Sequence, residues 1–129
     1  MNDPVREYCR RRGYAEHVIE GGMRYLVESW EYVVQSVVNG EIQFQDDYLN
    51  DMDGRQILEE VVTVATSEQK AEFFDRIEIA DRRFLDVAVP TADCLWVNVN
   101  ARKHGWTREK HWWYFYRPPN VDKVGWRSY

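Results

Sequence analysis

With 129 residues and a mass of 15.5 kDa the chain suits one domain, and 44% hydrophobic and 15% aromatic residues are enough to build a core. Seventeen basic against 22 acidic side chains give a net charge of −5 and an isoelectric point near 5.2, which argues against bulk binding to duplex DNA. No stretch supplies the roughly 20 apolar residues that span a bilayer. The first residues lack the charged-then-apolar layout of a secretory signal, so cytoplasmic residence is expected.

A first helix is predicted over Pro4–Arg12. Asp3 serves as N-cap, Pro4 takes the first helical position, and Arg10, Arg11 and Arg12 suit the negative pole of the helix dipole. The second helix, Tyr14 to Asn39, has the clearest period. Val18, Gly22, Tyr25, Leu26, Ser29, Val33, Ser36 and Val37 recur at three- and four-residue steps and mark an inward face, while Glu16, Glu20, Arg24, Glu28, Glu31 and Gln35 mark a wet one. Gly21-Gly22 interrupts it at about 1 kcal/mol per glycine relative to alanine, and either admits a close neighbour or bends the helix.

Glu41 to Asp53 reads as a linker whose Asp46, Asp47, Asp51 and Asp53 make it the most acidic stretch. Asp51, Asp53, Gly54 and Glu60 copy several positions of an EF-hand loop, but its first ligand position falls on Leu49, which cannot bind calcium. Capping by Asp51 or Asp53 of a third helix that opens at Gly54 explains the same residues. That helix is predicted to reach Ala65, with Ile57, Leu58, Val61, Val62 and Ala65 inward. Thr66-Ser-Glu-Gln69 has the layout of a capping box and starts a fourth helix that ends near Val87. Phe73, Phe74, Ile77, Ala80, Phe84 and Leu85 form its apolar stripe, and Glu72–Arg76 and Glu78–Arg82 are four-residue surface pairs.

After Pro90 both period and charge change. Residues 1–93 carry a net charge of −10, whereas residues 94–129 carry +5 and hold nine of the 19 aromatic rings. Leu95, Val97 and Val99 alternate with polar or aromatic neighbours, and Trp112 to Tyr116 has the length of a strand, so a hairpin across Ala101–His111 is predicted to lie on the helices. A short fifth helix over Leu95–Arg102 is the alternative. The expected architecture is a helix-rich α+β single domain over residues 1–129: an acidic body of about four helices (1–89) with a basic, aromatic C-terminal β-hairpin and tail (90–129).

No nucleophile elbow, phosphate-binding glycine loop, zincin or dinucleotide motif is present, so no catalytic residue is named. Cys9 and Cys94 form no C-x-x-C pair and are expected to be buried thiols, and His17, His104 and His111 lack the tight local spacing that zinc favours. No metal or cofactor is expected. The aromatic end is the main functional candidate. Trp106, Trp112, Tyr114, Tyr116, Arg117 and Trp126 are of the types enriched at interface hot spots, and are expected to meet a protein partner or a second copy. Asp46, Asp47, Asp51 and Asp53 offer a second, acidic contact for a basic partner. Three alternatives stand beside this. The rings stack on single-stranded nucleic acid while Arg102, Lys103, Arg108, Lys110 and Arg117 follow phosphates; they fill the core while those cations pair with the acidic body; or the chain is a metal-dependent enzyme without a familiar motif. The leading expectation is a small cytoplasmic macromolecule-binding protein with a protein as its partner.

Overall fold

A computed structural model of the chain describes residues 3–96, 98–122 and 126, the side chains of Asn98 and Val99 excepted. Helix α1 (Pro4–Arg11) begins where its cap dictates: the Asp3 carboxylate accepts the amides of Val5 and Arg6. It buries Val5 and Cys9.

Helix α2 (Glu16–Val38) is the central strut and touches the other three long helices. Its backbone leaves the helical region at Gly22 (φ 60°, ψ −149°), so the glycine pair makes a kink. Only glycine occupies that region without strain, and an added Cβ would sit 3.3 Å from the Arg6 side chain. Gly22→Ala is therefore expected to cost about 1–3 kcal/mol, read as a lower urea midpoint at unchanged slope.

The buried stripe of α2 is Ile19, Gly22, Met23, Leu26, Val27, Trp30, Val34 and Val37, which keeps Gly22, Leu26 and Val37 of the predicted face. This is a turn of the helix by about one residue from the predicted face, which leaves Tyr25, Ser29 and Val33 at the edge of the core. The physical reason is contact on several sides: α2 is apolar over more than one face, and the stripe carrying the bulky Met23 and Trp30 is the one its neighbours enclose.

Helix α3 (Gln45–Val64) starts at Gln45, not at Gly54. Tyr48, Leu49, Met52, Arg55, Leu58 and Val61 follow one another at helical steps and are buried, so the predicted linker is helix from Gln45 on and only its residues 41–44 lie between α2 and α3. Asp46 and Asp47 lie in its first turn, where the positive pole of the dipole favours them. Asp51, Asp53 and Gly54 lie inside the helix, and neither aspartate caps it. Helix α4 (Ser67–Val87) has the predicted capping box in full, with Gln69 N donating to Thr66 Oγ1 at 3.0 Å and Thr66 N donating to Gln69 Oε1 at 3.0 Å. It buries Phe73, Ala80 and Phe84 and leaves Phe74 and Leu85 exposed. Glu78 pairs with Arg82 as expected, but Arg76 crosses to Glu31 and Glu72 takes Arg24, so these join α4 to α2.

The fold is helix-rich α+β, with a two-stranded antiparallel pair near the C-terminus. The strands are β1 (Val89–Pro90) and β2 (Tyr116–Arg117), with Val89 opposite Arg117. They replace the predicted pairing of residues 95–99 with 112–116. Helix α5 (Asn98–His104) takes the end of the first of those segments, starting later than the alternative helix over Leu95–Arg102, and Trp112–Phe115 form a 3-10 turn. A strand sends neighbours to opposite faces, whereas Trp113, Tyr114 and Phe115 are all enclosed in succession. Val97, one residue of the predicted strand, lies outside the described residues.

Backbone bonds tie this segment down. Leu95 N donates to Tyr114 O at 2.8 Å, and Gln43 N donates to Asn120 O at 3.0 Å. The Tyr48 hydroxyl, on a fully buried ring, donates to Tyr116 O at 2.7 Å. At the centre Arg55, 3% exposed, makes a fork to Asp81 of α4 (3.1 and 2.8 Å) and reaches Glu59 at 3.0 Å. Its guanidinium lies 4.7 Å from the ring centre of Trp113 and 5.5 Å from that of Trp112. One buried cation thus joins α3, α4 and the C-terminal rings. Among the described residues no helix is long and apolar enough to cross a membrane.

Candidate protein-binding groove

None of Trp106, Trp112, Tyr114, Tyr116, Arg117 and Trp126 is exposed. Tyr114 is 1% exposed and Trp112 packs on Trp30 and Phe84. Trp106 is stacked between His104 and Tyr114 at 4.6 and 4.2 Å. Tyr116 meets Trp112 edge-on, Trp126 lies against Tyr48, and Arg117 donates to Pro118 O. Most of this ring area therefore serves the interior. Among the described residues no cation of the segment pairs with the acidic body: the ion pairs join groups on α1 to α4 and their caps, while Arg102, Lys103 and Lys110 are exposed. Arg108 donates to the carbonyls of Thr91 and Ala92. Cys9 and Cys94 are buried thiols that burial pushes above their ordinary range. Burial lowers His111, whose Nδ1 accepts the amide of Thr107.

The acidic quartet is divided by helical geometry. Asp46 and Asp47 are exposed on the first turn of α3. Asp51 and Asp53, two residues apart, point to nearly opposite sides because each residue turns the helix by about 100°. Asp53 faces the C-terminal segment and accepts Trp96 Nε1 at 3.1 Å and the Tyr114 hydroxyl at 2.7 Å. Asp51 faces α2.

Between α2 and α3 runs a groove whose one wall is the stripe left over by the core, Val18, Tyr25, Ser29 and Val33; Asp51, Gly54 and Ile57 form the other. The small Ser29 and Gly54 give it depth, and the buried Leu26 and Trp30 form its floor. A shallower extension of about 420 Å3 adds Glu28 and Tyr32. Tyr32 is 78% exposed and Tyr25 37%, so two aromatic side chains a heptad apart stand on the rim. Sequence reasoning assigned this stripe to the core; its clue was that α2 has more apolar positions than one buried face can use.

The Asp51 carboxyl is pushed up to about 6, by burial first and then by Asp47. A folded value above the unfolded one means that the contribution is stabilising below about pH 4 and is lost as pH rises through about 6. Asp51→Asn is therefore expected to flatten the decline in stability over that window. After allowance for solvent screening it should gain about 1 kcal/mol at pH 7, measured by urea titrations at several pH values.

Among the described residues no group of three or more His, Cys, Asp or Glu side chains is placed to hold a metal ion. Comparison of the chain with protein-family models, curated proteins and solved structures finds no match in any of the three.

Proposed function

We propose that the chain is a small protein-binding module that receives a basic amphipathic helix of a protein partner in the α2–α3 groove. The observation that carries this reading is the second apolar stripe of α2, left open beside a carboxylate, Asp51, that has no ion pair among the described residues. Tyrosine gives large contact area at low entropic cost and is enriched at hot spots. An apolar helix face laid in a groove is a recurring recognition mode. Asp51 sets the sign of the partner's charge, with Asp47 near enough to act on it and Glu28, itself 3.8 Å from Arg24, in the extension. Arg55, the cation among the described residues that line the groove, is already engaged by Asp81 and Glu59. Complementary charge speeds encounter and rejects acidic competitors.

The test is selection of peptides from a random displayed library against the folded chain. The expected peptides are rich in Lys and Arg with apolar residues at three- and four-residue spacing. They should lose at least tenfold in affinity to Tyr32→Ala and to Asp51→Lys; Tyr32→Ala should melt within about 2 °C of the parent, since its ring is 78% exposed, and Asp51→Lys should remain folded. Acidic or neutral winners, or equal binding to the variants, would remove the proposal. A dimer of the chain that Asp51→Lys dissolves would put a second copy in the groove instead. Because Asp51, flanked by Asp47 and facing Glu28, Tyr25 and Tyr32, is protonated below about pH 6, affinity for a basic peptide is expected to rise as pH passes that value.

A further inference from the structure

A second concavity, of about 510 Å3, opens on the neighbouring face of α3, with Ile57 on the ridge shared by the two. It lies between the end of α1, the middle of α3 and the turn after α5. Its two ends differ in charge balance. At one end Glu60 is fully engaged: the hydroxyls of Tyr8 and Tyr14 and the Gln56 amide donate to it, and Arg12 stands 3.6 Å away. At the other end the donors to Asp53 among the described residues are neutral, Trp96 Nε1 and the Tyr114 hydroxyl, which converge on Oδ1. Among the described residues no cation lies within ion-pair distance of it, and His104 acts on it only through longer-range attraction. Gln56 Oε1, one turn along the helix, is enclosed without a donor among the described residues.

The wall beside Asp53 is built in advance. His104, Trp106 and Tyr114 form one stack, and the last of them fixes the carboxylate through its hydroxyl. Burial and the Asp53 charge drive the Tyr114 hydroxyl far above its ordinary range, so it stays a donor. A carboxylate with neutral donors, in an aromatic-walled cleft, matches one ligand chemistry. We infer that this cleft is a binding site for a small organic cation, an ammonium or guanidinium group seated against Asp53. The cation gains a charge-assisted hydrogen bond to Asp53 in a cleft that Tyr14 and Trp106 also line. An anion would meet two carboxylates and find the guanidinium of Arg12 already held by Glu60.

The experiment titrates the folded chain at low ionic strength with agmatine and with n-butylamine, and with N-butylacetamide and butyrate as neutral and anionic controls. The Trp96 and Trp106 indole N–H resonances report the site. Both amines should shift them with saturation in the millimolar range, and the controls should not. Asp53→Asn keeps an oxygen for Trp96 and Tyr114 but removes the charge, and is expected to weaken amine binding at least tenfold. His104→Arg places a fixed cation beside Asp53 on an exposed position and should weaken it comparably; it decides alone if the Asn variant does not fold. Tyr32→Ala should leave amine binding unchanged, which separates this site from the groove. Absence of a saturable shift with either amine, equal binding of butyrate, or undiminished amine binding by the folded variants would overturn the inference.

Discussion

Arg55→Met is expected to lower the unfolding free energy by about 3–5 kcal/mol, because it leaves a carboxylate that the fold was built to pair. Asp81 is only 20% exposed as a side chain and accepts both branches of the guanidinium fork as well as Trp30 Nε1. Loss of the cation strands that charge and removes the plate on which Trp112 and Trp113 rest. Arg55→Lys should recover only part of the loss, since one ammonium cannot reproduce two parallel bonds and stacks poorly on indole. Adding Asp81→Asn to Arg55→Met should restore some stability by removing the stranded charge while keeping an acceptor for Trp30. Urea titration of the four proteins measures this; a loss below 1 kcal/mol for Arg55→Met would show that the cation is dispensable.

Trp113→Ala should cost a similar 3–5 kcal/mol by cavity formation, as its ring is 1% exposed. Trp113→Phe should cost much less. Its smaller ring keeps most of the contacts, and it deletes an indole N–H that is enclosed without an acceptor among the described residues. The losses from Trp113→Ala and Arg55→Met should fall short of additivity by 0.5–3 kcal/mol, because each removes the other's partner. Loss of melting temperature on truncating this ring would also confirm that the aromatic end is part of the interior, which is why binding is best probed at Tyr32, Asp51 and Asp53 instead.

The distribution of charge also takes a new meaning from the fold. Among the described residues the acidic body does not use its surplus to hold the basic end, where Arg102, Lys103 and Lys110 are exposed and Arg108 and Arg117 bind backbone carbonyls. Its surplus instead borders two concavities, one on each side of the α3 ridge at Ile57. A single helix that offers Asp51 to one and Asp53 to the other makes the two sites separable by mutation.

The amino-acid order alone determined the local events. Asp3 and Pro4 start α1, the Thr66–Gln69 box starts α4, and Pro90 follows the end of α4. Each rests on groups a few residues apart, where cap chemistry and backbone sterics leave one solution. Tertiary structure decided which stripe of α2 is covered, that the aspartates after Phe44 ride on a helix, and that Trp112–Phe115 curl rather than extend. Those outcomes depend on neighbours distant in sequence: Arg55 is buried only because Asp81 lies opposite it, 26 residues away. A helix with two apolar faces carries no sign of which one its partners will choose, so the groove became visible only once α3 and α4 had taken the other.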